Sequence, residues 1–278
     1  MTPNKSAAEA TAEDYYDSND ADNFYEKVWG GEDIHIGIYD DPSIDIQSAS
    51  QKTVALMASQ LGDVSDSDSI IDLGAGYGGS ARYLARKFNC NLACLNVSER
   101  QNDRNRMLNR EQGLDKKVSV VHGSFEQIPD EDRSRDIVWS QDAFLHSGNR
   151  RRVLEEIDRI LKPGGQLIFT DPMQADDCPA GVLQPVYDRL ELDSIGSFAW
   201  YRAQLEELGF EEIACMPMVE HLRTHYDRVG RELADRRPQL LRYISTEYLE
   251  RMLVGLKNWV DAADNGWLAW GILHFRKS

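Results

Sequence analysis

The chain has 278 residues, 41% of them hydrophobic and 28% charged, the composition of a globular protein of one generous domain with a real core. Its 47 Asp and Glu against 31 Lys and Arg leave a net charge of −16. That balance argues against nucleic acid or an anionic membrane face as partner and fits cationic or zwitterionic small molecules.

No run approaches the roughly 20 apolar residues that cross a bilayer. Residues 1–22 carry one Lys and many acids, the reverse of a secretory leader, so a cytoplasmic location is expected. Cys90, Cys94, Cys178 and Cys215 are too few for a disulfide framework, and Cys90 and Cys94 read as buried thiols. An aromatic, Gly-punctuated run follows over 24–39. So many rings imply packing, either as a helix and a strand or as an ordered flap with little regular structure. Residues 1–45 are read as a flap and 46–278 as the main domain.

Ala49, Thr53, Leu56, Met57 and Leu61 predict a helix over 46–61, followed by a loop at 63–68. Strands are expected at 69–73, 91–97, 118–121, 136–139, 166–170 and 210–216. Helices are expected at 79–88, 98–112, 149–161 and 197–208. Ser98 is a helix cap with Gln101 at the capping-box position, and Pro163-Gly164-Gly165 should stop the 149–161 helix sharply. Two excursions, 171–196 and the helical 220–263, are expected to form lids over the end of the sheet. The segment 267–275 is expected to insert as an edge strand. This alternation is α/β, a mostly parallel sheet covered on both faces.

The run Ile70-Ile71-Asp72-Leu73-Gly74-Ala75-Gly76-Tyr77-Gly78-Gly79 satisfies G-x-G-x-x-G between a strand and a helix, where dinucleotide folds place it. Asp72 would crowd a pyrophosphate but suits a ligand that brings an ammonium group, as the amino-acid part of S-adenosylmethionine does. Asn96 stands where NAD enzymes favour an acid for the ribose, so an NAD(P)-dependent oxidoreductase is the weaker reading.

This run resembles the class I S-adenosylmethionine-dependent methyltransferases, as do Leu95-Asn96-Val97-Ser98-Glu99-Arg100-Gln101-Asn102, Gly123-Ser124-Phe125 and Leu161-Lys162-Pro163-Gly164-Gly165. More narrowly, three blocks resemble the sarcosine/dimethylglycine N-methyltransferases that make glycine betaine. They are Trp29-Gly30-Gly31-Glu32-Asp33-Ile34-His35-Ile36-Gly37, Trp139-Ser140-Gln141-Asp142-Ala143-Phe144-Leu145-His146-Ser147 and Thr170-Asp171-Pro172-Met173. The resemblance implies a Rossmann-like seven-stranded sheet with an antiparallel last strand, S-adenosyl-L-methionine as cofactor, and a small amino-acid-like amine as substrate. It implies cofactor contacts from Gly74, Ala75 and Gly76 on the methionine part and from Asn96, Val97 and Gln101 near the ribose. Ser124 and Phe125 would flank the adenine, Gln141 would close the fourth strand, and Tyr25 and Trp29 would fold over the cofactor.

For the acceptor, His146 and Tyr16 are the candidate catalytic residues. Tyr15, Tyr16, Trp29, Tyr39, Phe144, Trp200 and Tyr201 are the candidate rings for a quaternary ammonium, and Arg202 is the candidate fork for a carboxylate. Pro172 and Met173 are expected to wall the pocket. His35 reads as structural. His221 and His225 have helical spacing but lack further ligands, so no metal is expected. The acidity is expected to mark work at high salt or solute concentration. Alternatives are a methyltransferase for another small amine or natural-product acceptor, and a binder of the cofactor without catalysis. A nucleic-acid methyltransferase comes last.

Overall fold

The structure, a computed structural model, describes residues 11, 13, 16–190 and 192–278; Tyr15 lies outside the described residues. Ser18 caps a short helix, α1 (Asn19–Phe24), by accepting from the Ala21 amide, and the chain runs on into a π-helical turn over Tyr25–Trp29. From Gly30 to Asp45 no helix or strand forms, so the aromatic segment is an ordered, irregular stretch entered by a helix.

That stretch is held by side chains from around it. The buried Arg82 donates from Nε and a terminal nitrogen to Glu32 Oε2 at 2.9 and 2.6 Å. Ser50 and Thr53 donate to the carbonyls of His35 and Ile36. His221 and His225, spaced for a metal, instead accept the amide hydrogens of Tyr39 and Gly37 through Nδ1, each at 3.1 Å.

The core alternates as the sequence predicts. In order come α2 (Ile46–Gln60), β1 (Ser69–Leu73), α3 (Gly79–Phe88), β2 (Asn91–Asn96), α4 (Glu99–Glu111), β3 (Val118–His122) and β4 (Arg135–Gln141). After a 3-10 turn at Phe144–His146 follow α5 (Arg150–Ile160) and β5 (Leu161–Thr170). Then come β6 (Met173–Gln174), α6 (Gln184–Leu190), α7 (Phe198–Glu207) and β7 (Phe210–Pro217). The chain closes with α8 (Val219–Asp235), α9 (Arg237–Leu240), α10 (Thr246–Asp264), β8 (Leu268–Ala269) and β9 (Gly271–Lys277). Ser98 Oγ accepts from the Gln101 amide as a cap should, but Gln101 does not complete the box. Its side-chain oxygen accepts from Asn96 Nδ2 at 2.9 Å.

The seven-stranded sheet has the order β3-β2-β1-β4-β5-β9-β7, and β9 runs antiparallel to both neighbours. Two expectations are corrected. The last strand is not an edge: residues 271–275 are all buried and take partners on both sides, whereas β7 exposes much of its length and forms the edge. Pro163-Gly164-Gly165 does not separate helix from strand. It lies within β5 as an irregularity between the paired residues Leu161 and Gln166, and α5 ends because Leu161 is already extended.

Alternate residues of each strand feed opposite faces. Ile71, Leu73, Val138 and Phe169 pack with Val153, Leu154 and Ile157 of α5 and Leu205 of α7. Ile70, Ile137 and Trp139 pack with Val54 and Met57 of α2 and Leu84 of α3. A third cluster joins Phe24 and Trp29 to Tyr226 and Val229 of α8 and Trp259 of α10, with the Tyr226 and Trp259 rings stacked at 4.8 Å. No helix among the described residues is long and apolar enough to cross a membrane.

Candidate active site

The loop after β1 is tied to β2 by hydrogen bonds that the Gly74 and Ala75 amides donate to the Leu95 carbonyl, at 2.8 and 3.2 Å. Gly74 has φ +75°, and a Cβ there would overlap that of Ala143. Only glycine meets both demands. The loop therefore presents bare backbone to a cleft of about 660 Å³ at the carboxyl ends of the parallel strands, where open α/β sheets place their ligands.

Of the residues singled out for cofactor, Gly74, Gly76, Asn96 and Val97 line this cleft. So do Gln101, Ser124, Phe125 and Gln141. Asn96 and Gln101, hydrogen-bonded to each other, offer polar edges on one side, and Phe125 meets the Phe144 ring edge-on at 5.9 Å on the other. Asp72 and Ala75 line an adjoining cavity of about 290 Å³ together with Gly74 and Gln141. Burial raises the Asp72 carboxyl to about 7, against the pull of the nearby His35 charge. His35 itself rises above its usual value: burial opposes its charge, but Asp33 and Asp142 beside it prevail.

A third cavity, of about 350 Å³, opens off the cleft and shares Tyr16, Ile34, Asp142 and His146 with it. Its walls are Tyr16, Tyr25, Trp29 and Tyr226, closed by Pro172 and Leu190. The Tyr16–Tyr25 and Tyr25–Trp29 ring centroids are each 5.3 Å apart, and Trp29–Tyr226 is 5.6 Å. Where the two cavities meet, the Tyr16 hydroxyl and His146 Nε2 share a hydrogen bond of 2.9 Å.

Tyr25, expected over the cofactor, and Trp29, expected there or as an acceptor ring, line the aromatic chamber and not the main cleft. Six of the candidate acceptor residues line none of these three cavities. Phe144, Met173 and Tyr201 are fully buried in the core on the α5/α7 face, and Trp200 packs half-buried against it. Tyr201 donates to the buried Asp171 at 2.8 Å, whose carboxyl is pushed up to about 8 by burial despite the hydrogen bonds it accepts from Tyr201 and the Leu145 amide. Arg202, on the outer face of α7, is largely exposed and ion-paired to Glu212 of β7. Tyr39 also lies outside them, its hydroxyl 2.9 Å from His225 Nδ1.

Asp142, to which the sequence assigns no role, lines both the cleft and the chamber. It has φ +51°, an uncommon conformation for a non-glycine residue. Its carboxylate accepts the Ile36 amide at 2.7 Å and the Trp270 indole N–H at 2.8 Å, joining the irregular stretch to the last strands at the junction of the two cavities. Its place at the carboxyl end of β4 was the available signal. Asp33, Ile34 and His35 stand in the block over 29–37 that carries the resemblance, whereas Tyr226 gave no signal, because only contacts distant in sequence bring it to the site.

The donor set fits S-adenosylmethionine: bare backbone at Gly74, a buried carboxylate at Asp72, paired amides at Asn96 and Gln101, and an unpartnered buried amide nitrogen on Gln141 among the described residues. A family model described as a methyltransferase domain matches residues 71–169. The chain is 52% identical to a sarcosine/dimethylglycine N-methyltransferase of Halorhodospira halochloris over 96% of each chain. It is 47% identical to a dimethylglycine N-methyltransferase of Parasynechococcus marenigrum over 99% of each. A solved Galdieria sulphuraria structure, assigned to the sarcosine dimethylglycine methyltransferases, superposes with a TM-score of 0.90. It shares 42% identity and covers 95% of this chain and 99% of its own. Identity at this level along nearly the full length leaves one assignment: the chain belongs to the sarcosine/dimethylglycine N-methyltransferase family of S-adenosylmethionine-dependent methyltransferases.

Proposed function

We propose that the protein methylates the nitrogen of dimethylglycine, and of sarcosine, so that glycine betaine is its end product. The observation that carries this is the aromatic chamber joined to the cofactor-type cleft at the Tyr16–His146 hydrogen bond. S-adenosylmethionine, when bound, supplies an electrophilic methyl group on a sulfonium. Gly74, Ala75 and Gly76 with Asp72 are the proposed seat of its amino-acid part, Asn96, Val97 and Gln101 of its ribose, and Ser124 and Phe125 of its adenine.

The acceptor nitrogen arrives protonated, with a pKa near the amine range of about 10, and its lone pair is free only once that proton has gone. Tyr16 and His146 can take it together: the amine proton moves to the Tyr16 oxygen as the Tyr16 proton moves to His146 Nε2. The product is a quaternary ammonium that no hydrogen bond can hold. The rings of Tyr16, Tyr25, Trp29 and Tyr226 offer it cation–π attraction and exclude water. The described part of the N-terminal segment from Tyr16 to Asp45 acts as a flap over this chamber, and Pro172, Leu190 and Tyr226 bring the two later excursions to its wall as lids. The charge of −16 and the four free cysteines suit a cytoplasmic enzyme acting on small molecules.

Methyl transfer from labelled S-adenosylmethionine to glycine, sarcosine, dimethylglycine and phosphoethanolamine, each alone, tests the assignment. Turnover with dimethylglycine is expected. Binding of S-adenosylmethionine with no turnover in the glycine series would remove the substrate and keep the fold. The exposed Arg202–Glu212 pair lies outside the site, so Arg202→Ala is expected to leave the KM for dimethylglycine unchanged and to cost at most about 1 kcal/mol of stability. A KM raised tenfold, or by about 1.4 kcal/mol, would restore Arg202 as the carboxylate fork.

A further inference from the structure

The turn that carries His146 is three residues long, Phe144–His146, and so short a 3-10 piece has few bonds of its own. Within it the His146 amide donates to the Ala143 carbonyl at 3.1 Å, but the Leu145 amide donates outside the turn, to Asp171 Oδ1 at 3.0 Å. Asp171 is the first residue after β5 and is fully buried. Its other oxygen, Oδ2, accepts the Tyr201 hydroxyl of α7 at 2.8 Å. Tyr201 is held in turn. Its ring meets Phe169 edge-on at 5.0 Å, and residue 196 is glycine where a Cβ would overlap the ring. The residues that directly follow the bonded pair, His146 after Leu145 and Pro172 after Asp171, both line the aromatic chamber. A buried carboxyl is costly, and among the described residues this one has no ion pair to offset it.

We infer that Asp171, anchored by Tyr201, is the positioning residue that sets His146 against Tyr16: by accepting the Leu145 amide it fixes the turn from behind the chamber. The inference rests on the reading of Tyr16 and His146 as the acceptor of the amine proton. Asp171 and Tyr201 line none of the three cavities, so their effect on the reaction passes through the backbone they hold. Acid–base transfer needs heavy atoms within about 2.6–3.2 Å of each other. The Tyr16–His146 bond of 2.9 Å leaves little slack. A displacement of about 1 Å can cost about 100-fold in rate. The bond matters here and not the charge. An amide at position 171 presents the same kind of oxygen to Leu145 and can donate from its nitrogen to the Tyr201 oxygen. Tyr201, which the sequence offers as an acceptor ring, thus enters the reaction through Asp171.

Steady-state rates with dimethylglycine and calorimetric titration with S-adenosylhomocysteine test this on the full chain. The variants are Asp171→Ala, Asp171→Asn and Tyr201→Phe, each made in the wild-type and the His146→Ala backgrounds. Asp171→Ala is expected to lower kcat by about 10- to 100-fold and to leave S-adenosylhomocysteine affinity within roughly twofold, which also reports an intact fold. Asp171→Asn should lose at most about threefold, because it keeps both bonds. Tyr201→Phe removes one oxygen and should lower kcat by about 2- to 10-fold; if Asp171→Ala does not fold, it carries the same comparison. In the His146→Ala background none of the three should lower kcat by more than about twofold further, since the group they position is gone. A purely structural role would act alike in both backgrounds, so losses that multiply overturn the inference. So do wild-type kcat in Asp171→Ala, an Asp171→Asn as slow as Asp171→Ala, and a fall in S-adenosylhomocysteine affinity that matches the fall in rate. An unchanged kcat in His146→Ala alone overturns the proton-acceptor reading, and the inference with it.

Discussion

Replacing His146 by alanine is expected to lower kcat for dimethylglycine by about 10²- to 10⁴-fold, the range that a positioned acid–base group contributes. Binding of S-adenosylhomocysteine should stay close to wild type. The reason is geometric: His146 Nε2 is hydrogen-bonded to Tyr16 at 2.9 Å, both side chains line the junction of the cavities, and neither is needed to shape the glycine loop. Tyr16→Phe keeps the ring in the aromatic wall and removes only the hydroxyl, so it should lower kcat while leaving product affinity largely intact. Rates measured across pH separate this from a structural role. If the pair accepts the amine proton, raising the pH deprotonates the acceptor in solution and recovers part of the lost rate in both variants. Losses that stay constant with pH, or wild-type kcat in His146→Ala, would remove the pair from the chemistry.

Gly74→Ala is the substitution expected to damage stability and cofactor binding together. A residue with a Cβ at φ +75° costs about 1–2 kcal/mol, and overlap with Ala143 adds about 1–3 kcal/mol of overpacking. Gly113→Ala separates the two contributions. Gly113 has φ +67° but nothing within 4 Å of where a Cβ would stand, so it should lose the backbone part alone. Denaturant unfolding of both variants, with S-adenosylhomocysteine titrations, checks this. Equal destabilisation of the two would mean that Ala143 gives way, and the close approach of the loop to the turn before Phe144 would then carry no weight.

The local elements were legible. Strand 69–73 and helix 79–88 were read with the bounds observed, since hydrophobic period, caps and glycine punctuation are written within a few residues of one another. Long-range placement was not. Arg202 has the right chemistry for a carboxylate, but a helix turns each residue by a fixed angle, and only the packing of α7 against α5 and β7 decides that it faces Glu212 and solvent. The chain names Tyr16 and His146 as reactive types but cannot show that residues 130 positions apart share a hydrogen bond.

By itself the sequence determined the α/β alternation, the glycine loop, the acidic surface and the family resemblance, all of which rest on local pattern or on residues matched in order. The tertiary structure decided that β9 enters between β5 and β7, that His221 and His225 accept backbone amides of the irregular stretch, and that four aromatic rings enclose one chamber. It also decided that Asp33 and His35 reach the glycine loop. The physical reason is common to all four. Each depends on contacts between residues distant in sequence, and no local repeat records which distant residues will meet.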